Sequence, residues 1–320
     1  MAMDLAAPKP GWLALLREHA REHTWAALGL GLALLGVLAL LVQSLAQVAG
    51  GSAAPGLRLA LLGGAAGFAT TALGALPALV LRGLPQRLED SLLGLAAGMM
   101  LAASAFSLLQ PGLAAGTQIL GNKALGAGLV VIGMALGVLL MLGLDEFTPH
   151  EHDKTGPCGP GVERCGRIWL FVFAIALHNL PEGMAIGVSF SQADMAVGLP
   201  LTTAIALQDI PEGLAVALAL RGAGFAPGLS VLVAAASGAL EPLGALLGVG
   251  LSSGLPQAYP AGLGLAAGAM IFVVSHEVIP ETHRNGHQTP ATLGLMAGFA
   301  LMMVLDTTLG RSFFTKENRP

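Results

Sequence analysis

The sequence predicts an all-α bundle of membrane-spanning helices, and three observations carry that expectation. Hydrophobic side chains make up 54% of the 320 residues and charged ones 11%, with a mean hydropathy of +0.74. A water-soluble domain would hold about a quarter charged residues. The apolar residues gather into stretches long enough to cross a hydrocarbon layer, which takes about 20 residues for about 30 Å. The 45 glycines lie inside those stretches rather than in polar linkers, and small residues let membrane helices approach closely. A membrane β-barrel is excluded, because its strands would be about 10 residues long and alternate in polarity. The net charge of −4 and pI near 6.0 exclude a basic nucleic-acid binder, and two cysteines exclude a disulfide framework.

Taken in order, the chain opens with a polar segment, 1–23, followed by an apolar span at 24–49. Both are too long for a cleaved secretory signal, so the span is expected to remain. Eight further spans are expected at 58–81, 91–111, 123–144, 168–191, 196–220, 228–252, 259–280 and 291–310, ahead of a tail at 311–320. Short connections alternate them across the bilayer. One side then collects Lys9, Arg17, Arg21, Arg82, Arg87, Lys154, Arg164, Arg167, Arg221 and Arg284, ten basic residues. The other collects Arg58, Lys123, Arg311, Lys316 and Arg319, five. The richer side is expected to be cytoplasmic, with the amino terminus inside and the carboxyl terminus outside. The one long hydrophilic loop, 145–167, falls on the inner side and carries His150, His152, Cys158 and Cys165. It reads either as a flexible Gly/Pro linker or as a place of metal capture, and the gap between its cysteines matches no zinc-finger spacing.

Two segments repeat. AIALHNLPEGMAIGV at 174–188 and AIALQDIPEGLAVAL at 204–218 share eight of fifteen positions at an offset of thirty residues. That offset is one span plus a turn, so the copies run in opposite directions, as in the inverted repeats of transporters. His178 falls about ten residues into its span and Gln208 about twelve into the next, about 15 and 18 Å from opposite faces. Both polar clusters therefore sit near mid-membrane. His178, Asn179 and Glu182 share one helix face, and so do Gln208, Asp209 and Glu212, by their i,i+3 and i,i+4 spacing. Pro181 and Pro211 are expected to kink the helices there and free backbone oxygens. Glu241, followed by Pro242, is a further mid-span carboxylate.

Four acids at that depth would cost on the order of 10–14 kcal/mol if ionised and uncompensated. No lysine or arginine stands near mid-depth in any span, which leaves a cation from solution or shared protons as partner. One imidazole, two amides and four carboxylates suit a divalent first-row metal such as zinc. Met99 and Met100, in LGLAAGMMLAASAFS, read either as packing residues or, for Met100, as a thioether ligand. Eight candidate ligands exceed the four of a closed zinc site, which suits two adjacent ions bridged by Glu182 and Glu212 or weak, exchangeable binding. A buried polar network that merely sets helix register fits acids without basic partners badly.

At HNLPEG and QDIPEG the chain resembles the ZIP (Zrt-, Irt-like) family of divalent metal transporters, in its GufA-like bacterial branch. The resemblance covers about 58–310 and implies an eight-span metal transport domain with an inverted repeat, the span at 24–49 being extra. It implies a binuclear site, one metal on His178, Glu182, Gln208 and Glu212 with Met100 and Asp209 close by. The other would rest on Asn179, Asp209 and Glu241, with Glu182 and Glu212 bridging. It further implies zinc, and often cadmium, iron or manganese, moving into the cytoplasm across the inner membrane, with the carboxyl terminus periplasmic. A homodimer, an elevator-like shift of the metal-bearing helices, and neither enzymatic activity nor a resident cofactor complete the implication. Many members have histidine where Gln208 stands, a departure that bears on the first site.

Topology also suggests a route. Glu89 and Asp90 open the third span, Asp145 and Glu146 close the fourth, and His276 and Glu277 lie near the end of the eighth, all on the inner side, either as an acidic exit or as ordinary solvated helix ends. Asp306 lies towards the outer face, as an entrance residue or a lone terminal charge. A second class of function, an intramembrane metalloprotease, lacks its HExxH motif, since His178 and Glu182 form HxxxE and the pair His150-Glu151-His152 lies in a loop. A third, a proton-conducting or metal-sensing subunit, leaves the imidazole and amides without purpose.

Overall fold

The computed structural model describes residues 12–49, 55–147, 150–152, 156–158, 167–252 and 255–310. Its helices are α1 (Trp12–Glu22), α2 (Thr24–Ala49), α3 (Pro55–Ala75), α4 (Gln86–Ala103), α5 (Gln110–Leu120), α6 (Lys123–Phe147) and α7 (Arg167–Phe190). They continue with α8 (Met195–Gly222), α9 (Pro227–Gly238), α10 (Leu240–Ser252), α11 (Ala258–Val273), α12 (Ile279–His283) and α13 (Gln288–Leu309). Among the described residues, seven units are long and apolar enough to cross a membrane: 55–79, 86–120, 123–147, 195–222, 227–252, 258–283 and 288–309. α2 and α7, of 26 and 24 residues, match that length, and several of their side chains lie outside the described residues. The polytopic all-α bundle stands.

Three local features differ from the sequence expectation. The third span reaches Leu120 rather than stopping near 111, ending where Gly121 takes a left-handed φ of 63°. α6 runs through Phe147, so Asp145 and Glu146 are helical. Beyond it His150–His152 pairs antiparallel with Gly156–Cys158, backbone only. The side chains of His150, His152 and Cys158, all of Cys165, and the tail 311–320 lie outside the described residues. Finally, α7 and α8 continue through Pro181 and Pro211 as uninterrupted helices. The span that breaks is the seventh. Pro242 has no N–H to give the carbonyl of Gly238, and Ala239 N turns back to Ala236 O at 3.2 Å. Glu241 thereby occupies the first turn of a half-helix that begins inside the membrane.

Packing follows a repeated scheme: α3 against α8, α10 against α7, α4 against α13 and α11 against α6. Three of these pairs meet through glycines four residues apart on both partners. A Cβ on Gly183 would strike the Glu241 carbonyl, and one on Gly248 the Met184 carbonyl. Gly98 and Gly298 play the same part between α4 and α13, and Gly137 and Gly268 between α6 and α11. Without a hydrophobic drive between lipid-embedded helices, such close backbone approach supplies the packing energy.

The repetition extends into the sequence. GLAAGMM at 94–100 returns as GLAAGAM at 264–270, six of seven positions alike, and GMALGVLLMLGLD at 133–145 shares six of thirteen with GLMAGFALMMVLD at 294–306. Each member of the first pair leads into a π-helical segment, Ser104–Leu109 and Val274–Val278. Pro111 and Pro280 follow those segments and withhold an amide from them. The repeated aspartates meet the segments in turn: Ser107 donates to Asp306 at 2.7 Å, and His276 Nε2 stands 3.7 Å from Asp145. The repeat around the two PEG segments is thus the centre of a larger inverted repeat.

Candidate metal centre

α7 and α8 are joined by a short turn at 191–194 and pack side by side. α7 brings His178, Asn179 and Glu182, α8 brings Gln208, Asp209 and Glu212, and the break before α10 brings Glu241. All seven are buried, Glu182, Gln208 and Glu241 completely. Glu182, Asp209 and Glu212 each offer a carboxylate oxygen, and the three atoms lie within 4.8 Å of one another. Basic residues of the surrounding helices stand at their ends, as Arg58, Arg167 and Arg221 do.

The hydrogen bonding at this place is incomplete. Gln208 Nε2 donates to Glu182 Oε1. Among the described residues, Glu182 Oε2, Asp209 Oδ1, both oxygens of Glu212, Glu241 Oε2, Gln208 Oε1 and Asn179 Nδ2 have no hydrogen-bond partner. A buried polar atom left unpaired costs about 1–3 kcal/mol, and more when charged, so native structures rarely gather several without a purpose. Six oxygens from four acids and an amide are a donor set for a divalent cation.

α3 closes the cluster from a third side. Thr70 Oγ1 donates to Asp209 Oδ2 at 3.3 Å, and Thr71 Oγ1 donates to Glu241 Oε1 at 3.1 Å. Gly67, one turn earlier, leaves the space that Glu241 Oε2 fills, and a Cβ there would also stand 3.1 Å from Asp209 Oδ2. Sequence reasoning passed over these three residues, although paired hydroxyls in the middle of FATTALG were a signal. Thr71→Val is expected to lower zinc affinity about ten- to hundredfold, since a hydrogen bond to a charged group is worth about 1.5–3 kcal/mol. Zinc titration of the purified protein measures it, and unchanged affinity would remove Thr71 from the site.

Glu277, expected on an exit route, touches the cluster directly: His178 Nε2 lies 2.9 Å from Glu277 Oε2. The neighbouring His276 faces Asp145, and Glu146 faces His19 and His23. Asp90 is buried and engaged by Gln86 Nε2 at 3.1 Å, Asn285 Nδ2 at 3.2 Å and His287 Nδ1 at 2.8 Å. Asp306 is held by Ser107, as above. Met100 is fully buried on α4, a helix that packs on α8.

A family model described as ZIP Zinc transporter matches residues 148–306. The chain is 64% identical over 292 residues to "Zinc transporter ZIPB" of Bordetella bronchiseptica, covering 91% of this chain and 94% of that one. It is 43% identical over 259 residues to "Zinc transporter GufA" of Myxococcus xanthus, covering 80% and 99%. To the human "Zinc transporter ZIP11" it is 30% identical over 332 residues, covering 78% and 97%.

Proposed function

Because this chain belongs to the ZIP zinc transporter family, we propose that it carries zinc across a membrane through the buried cluster on α7, α8 and α10. The observation that carries this reading is the convergence of Glu182, Asp209 and Glu212 within 4.8 Å, with carboxylate oxygens that have no hydrogen-bond partner among the described residues. Such a cluster is stabilised by a passing dication, and its membership of three helices lets it open when they shift. We assign one ion to His178, Glu182, Gln208 and Glu212, with Met100 near it. The adjacent ion takes Asn179, Asp209 and Glu241, with Glu182 and Glu212 bridging. Amide oxygen in place of imidazole at Gln208 makes the first site harder and its hold on zinc weaker, which favours release.

The direction is inward, across a bacterial inner membrane, from Asp306 near the outer ends of α4–α5 and α13 to Glu277, His276, Asp145 and Glu146. Asp90 serves as a helix-end anchor beside that route. Cadmium and other first-row dications share the path, and the working unit is a homodimer. Zinc uptake into proteoliposomes loaded with a zinc-sensitive dye tests the whole. Metal-dependent accumulation supports transport, whereas protein that binds zinc and moves none, cleaves a membrane substrate, or conducts protons without metal would sink it.

A further inference from the structure

A second convergence of imidazole and carboxylate lies outside the mid-membrane cluster. α1 and α2 follow one another almost without interruption, since His23 N bonds His19 O and Ala27 N bonds His23 O, both at 2.9 Å. His19 and His23 are thus four residues apart on one helical face, with ring centroids 4.6 Å apart. Glu146, at the end of α6, directs Oε1 at both: it is 3.2 Å from His19 Nε2 and 3.4 Å from His23 Nδ1. Glu22 adds a carboxylate, and the ligand atoms of His19, Glu22 and His23 lie within 4.8 Å of one another. His19 also packs edge-on against Phe147 at 5.2 Å, which fixes its ring.

We propose that His19, His23 and Glu146, with Glu22 as fourth ligand, form a separate binding site for a zinc-class divalent cation at the inner end of α6. Around a tetrahedral ion with bonds of about 2.0 Å, neighbouring donor atoms stand about 3.3 Å apart. The two nitrogen-to-oxygen distances bracket that value. Two neutral imidazoles and two carboxylates balance a dication. His19 Nε2 also meets the Glu146 carbonyl at 3.0 Å. On binding metal the ring proton belongs on Nδ1, leaving the Nε2 lone pair for the ion.

Position gives the site its use. His178 touches Glu277, His276 beside it faces Asp145, and Glu146 next in line faces His19 and His23. Side chains of three helices thus lead in single-residue steps from the mid-membrane cluster to the α1 site. A cation leaving the bilayer would meet α1 last, and its capture would tie α1 to α6.

The test uses the full-length protein in detergent, with the mid-membrane ligands removed by Glu182→Gln, Asp209→Asn and Glu212→Gln. Zinc bound after equilibrium dialysis is counted per chain, before and after adding His19→Gln and His23→Asn. These two changes keep a hydrogen-bond donor at each position, so a purely structural tie survives them while metal ligation does not. One equivalent fewer is expected, and an unchanged count overturns the proposal. Independently of these variants, zinc is expected to shield His19 and His23 of the unmodified protein from diethyl pyrocarbonate, read by mass spectrometry. Equal labelling with and without zinc overturns the proposal as well. Neither readout depends on transport, so failure here leaves the mid-membrane reading untouched, and the reverse holds.

Discussion

Glu212→Gln is expected to abolish zinc transport while leaving the metal-free protein harder to melt. Glu212 carries two buried oxygens without hydrogen-bond partners among the described residues, and one of its oxygens lies within 4.8 Å of carboxylate oxygens of Glu182 and Asp209. Removing one partner of a buried ion pair costs about 3–5 kcal/mol, which lowers affinity by about two to four orders of magnitude. In the empty protein the same change removes one member of a group of like charges, a gain on the order of 1 kcal/mol after protons are shared among the rest. The melting temperature without zinc should therefore rise by about 2–4 °C, while the further rise that zinc produces in the unmodified protein should vanish. Uptake by proteoliposomes and a thermal melt with and without zinc read the two halves separately. Transport above half of normal, or an undiminished response to zinc, would show that this trio does not hold the ion.

The second large effect comes from a single methyl group. In an ordinary membrane helix, Gly→Ala is neutral or slightly stabilising, because alanine gives up less backbone entropy on folding. At Gly67 the added Cβ would occupy the space of Glu241 Oε2 and press on Asp209 Oδ2. Either the Glu241 carboxylate leaves its place, breaking its hydrogen bond from Thr71, or α3 moves off α8 and α10. Gly67→Ala is expected to reduce transport at least about tenfold, since a misplacement near 1 Å in a preorganised site costs that much or more. Gly128→Ala, on α6 with open space around the new methyl group, is the matched control and should transport normally. If Gly67→Ala matched it, Glu241 would not be a ligand.

How far these sites were legible in the chain can be followed residue by residue. Glu182 and Glu212 announced themselves because a carboxylate in the middle of a 20-residue apolar stretch has no cheap explanation, and the PEG repeat marked them twice. The presence of apolar spans was legible too, since crossing a bilayer demands length and hydropathy that local composition reveals, although the third runs on to Leu120 and the seventh is broken before Glu241. Thr70, Thr71 and Gly67 did not, because threonine and glycine are ordinary in membrane helices and acquire meaning only from the neighbour across the gap. Pro181 and Pro211 stand inside helices that continue past them, whereas the span holding Pro242 is broken just ahead of it. Proline always withholds an amide, but whether a helix bends, continues or ends depends on what neighbouring helices offer the freed carbonyl.

Composition and local pattern were enough for membrane residence, a helical bundle, opposed repeats and a buried excess of negative charge. Each rests on transfer energies or helical spacing, properties that a segment carries with it. The folded bundle alone decided that Glu241 stands against Gly67 and Thr71, that Glu277 reaches across 99 residues to His178, and that Glu146 faces His19 and His23. Those are contacts between helices remote in sequence. They depend on which glycine faces let backbones close upon one another, and the glycine spacing of one span does not name the span it will meet.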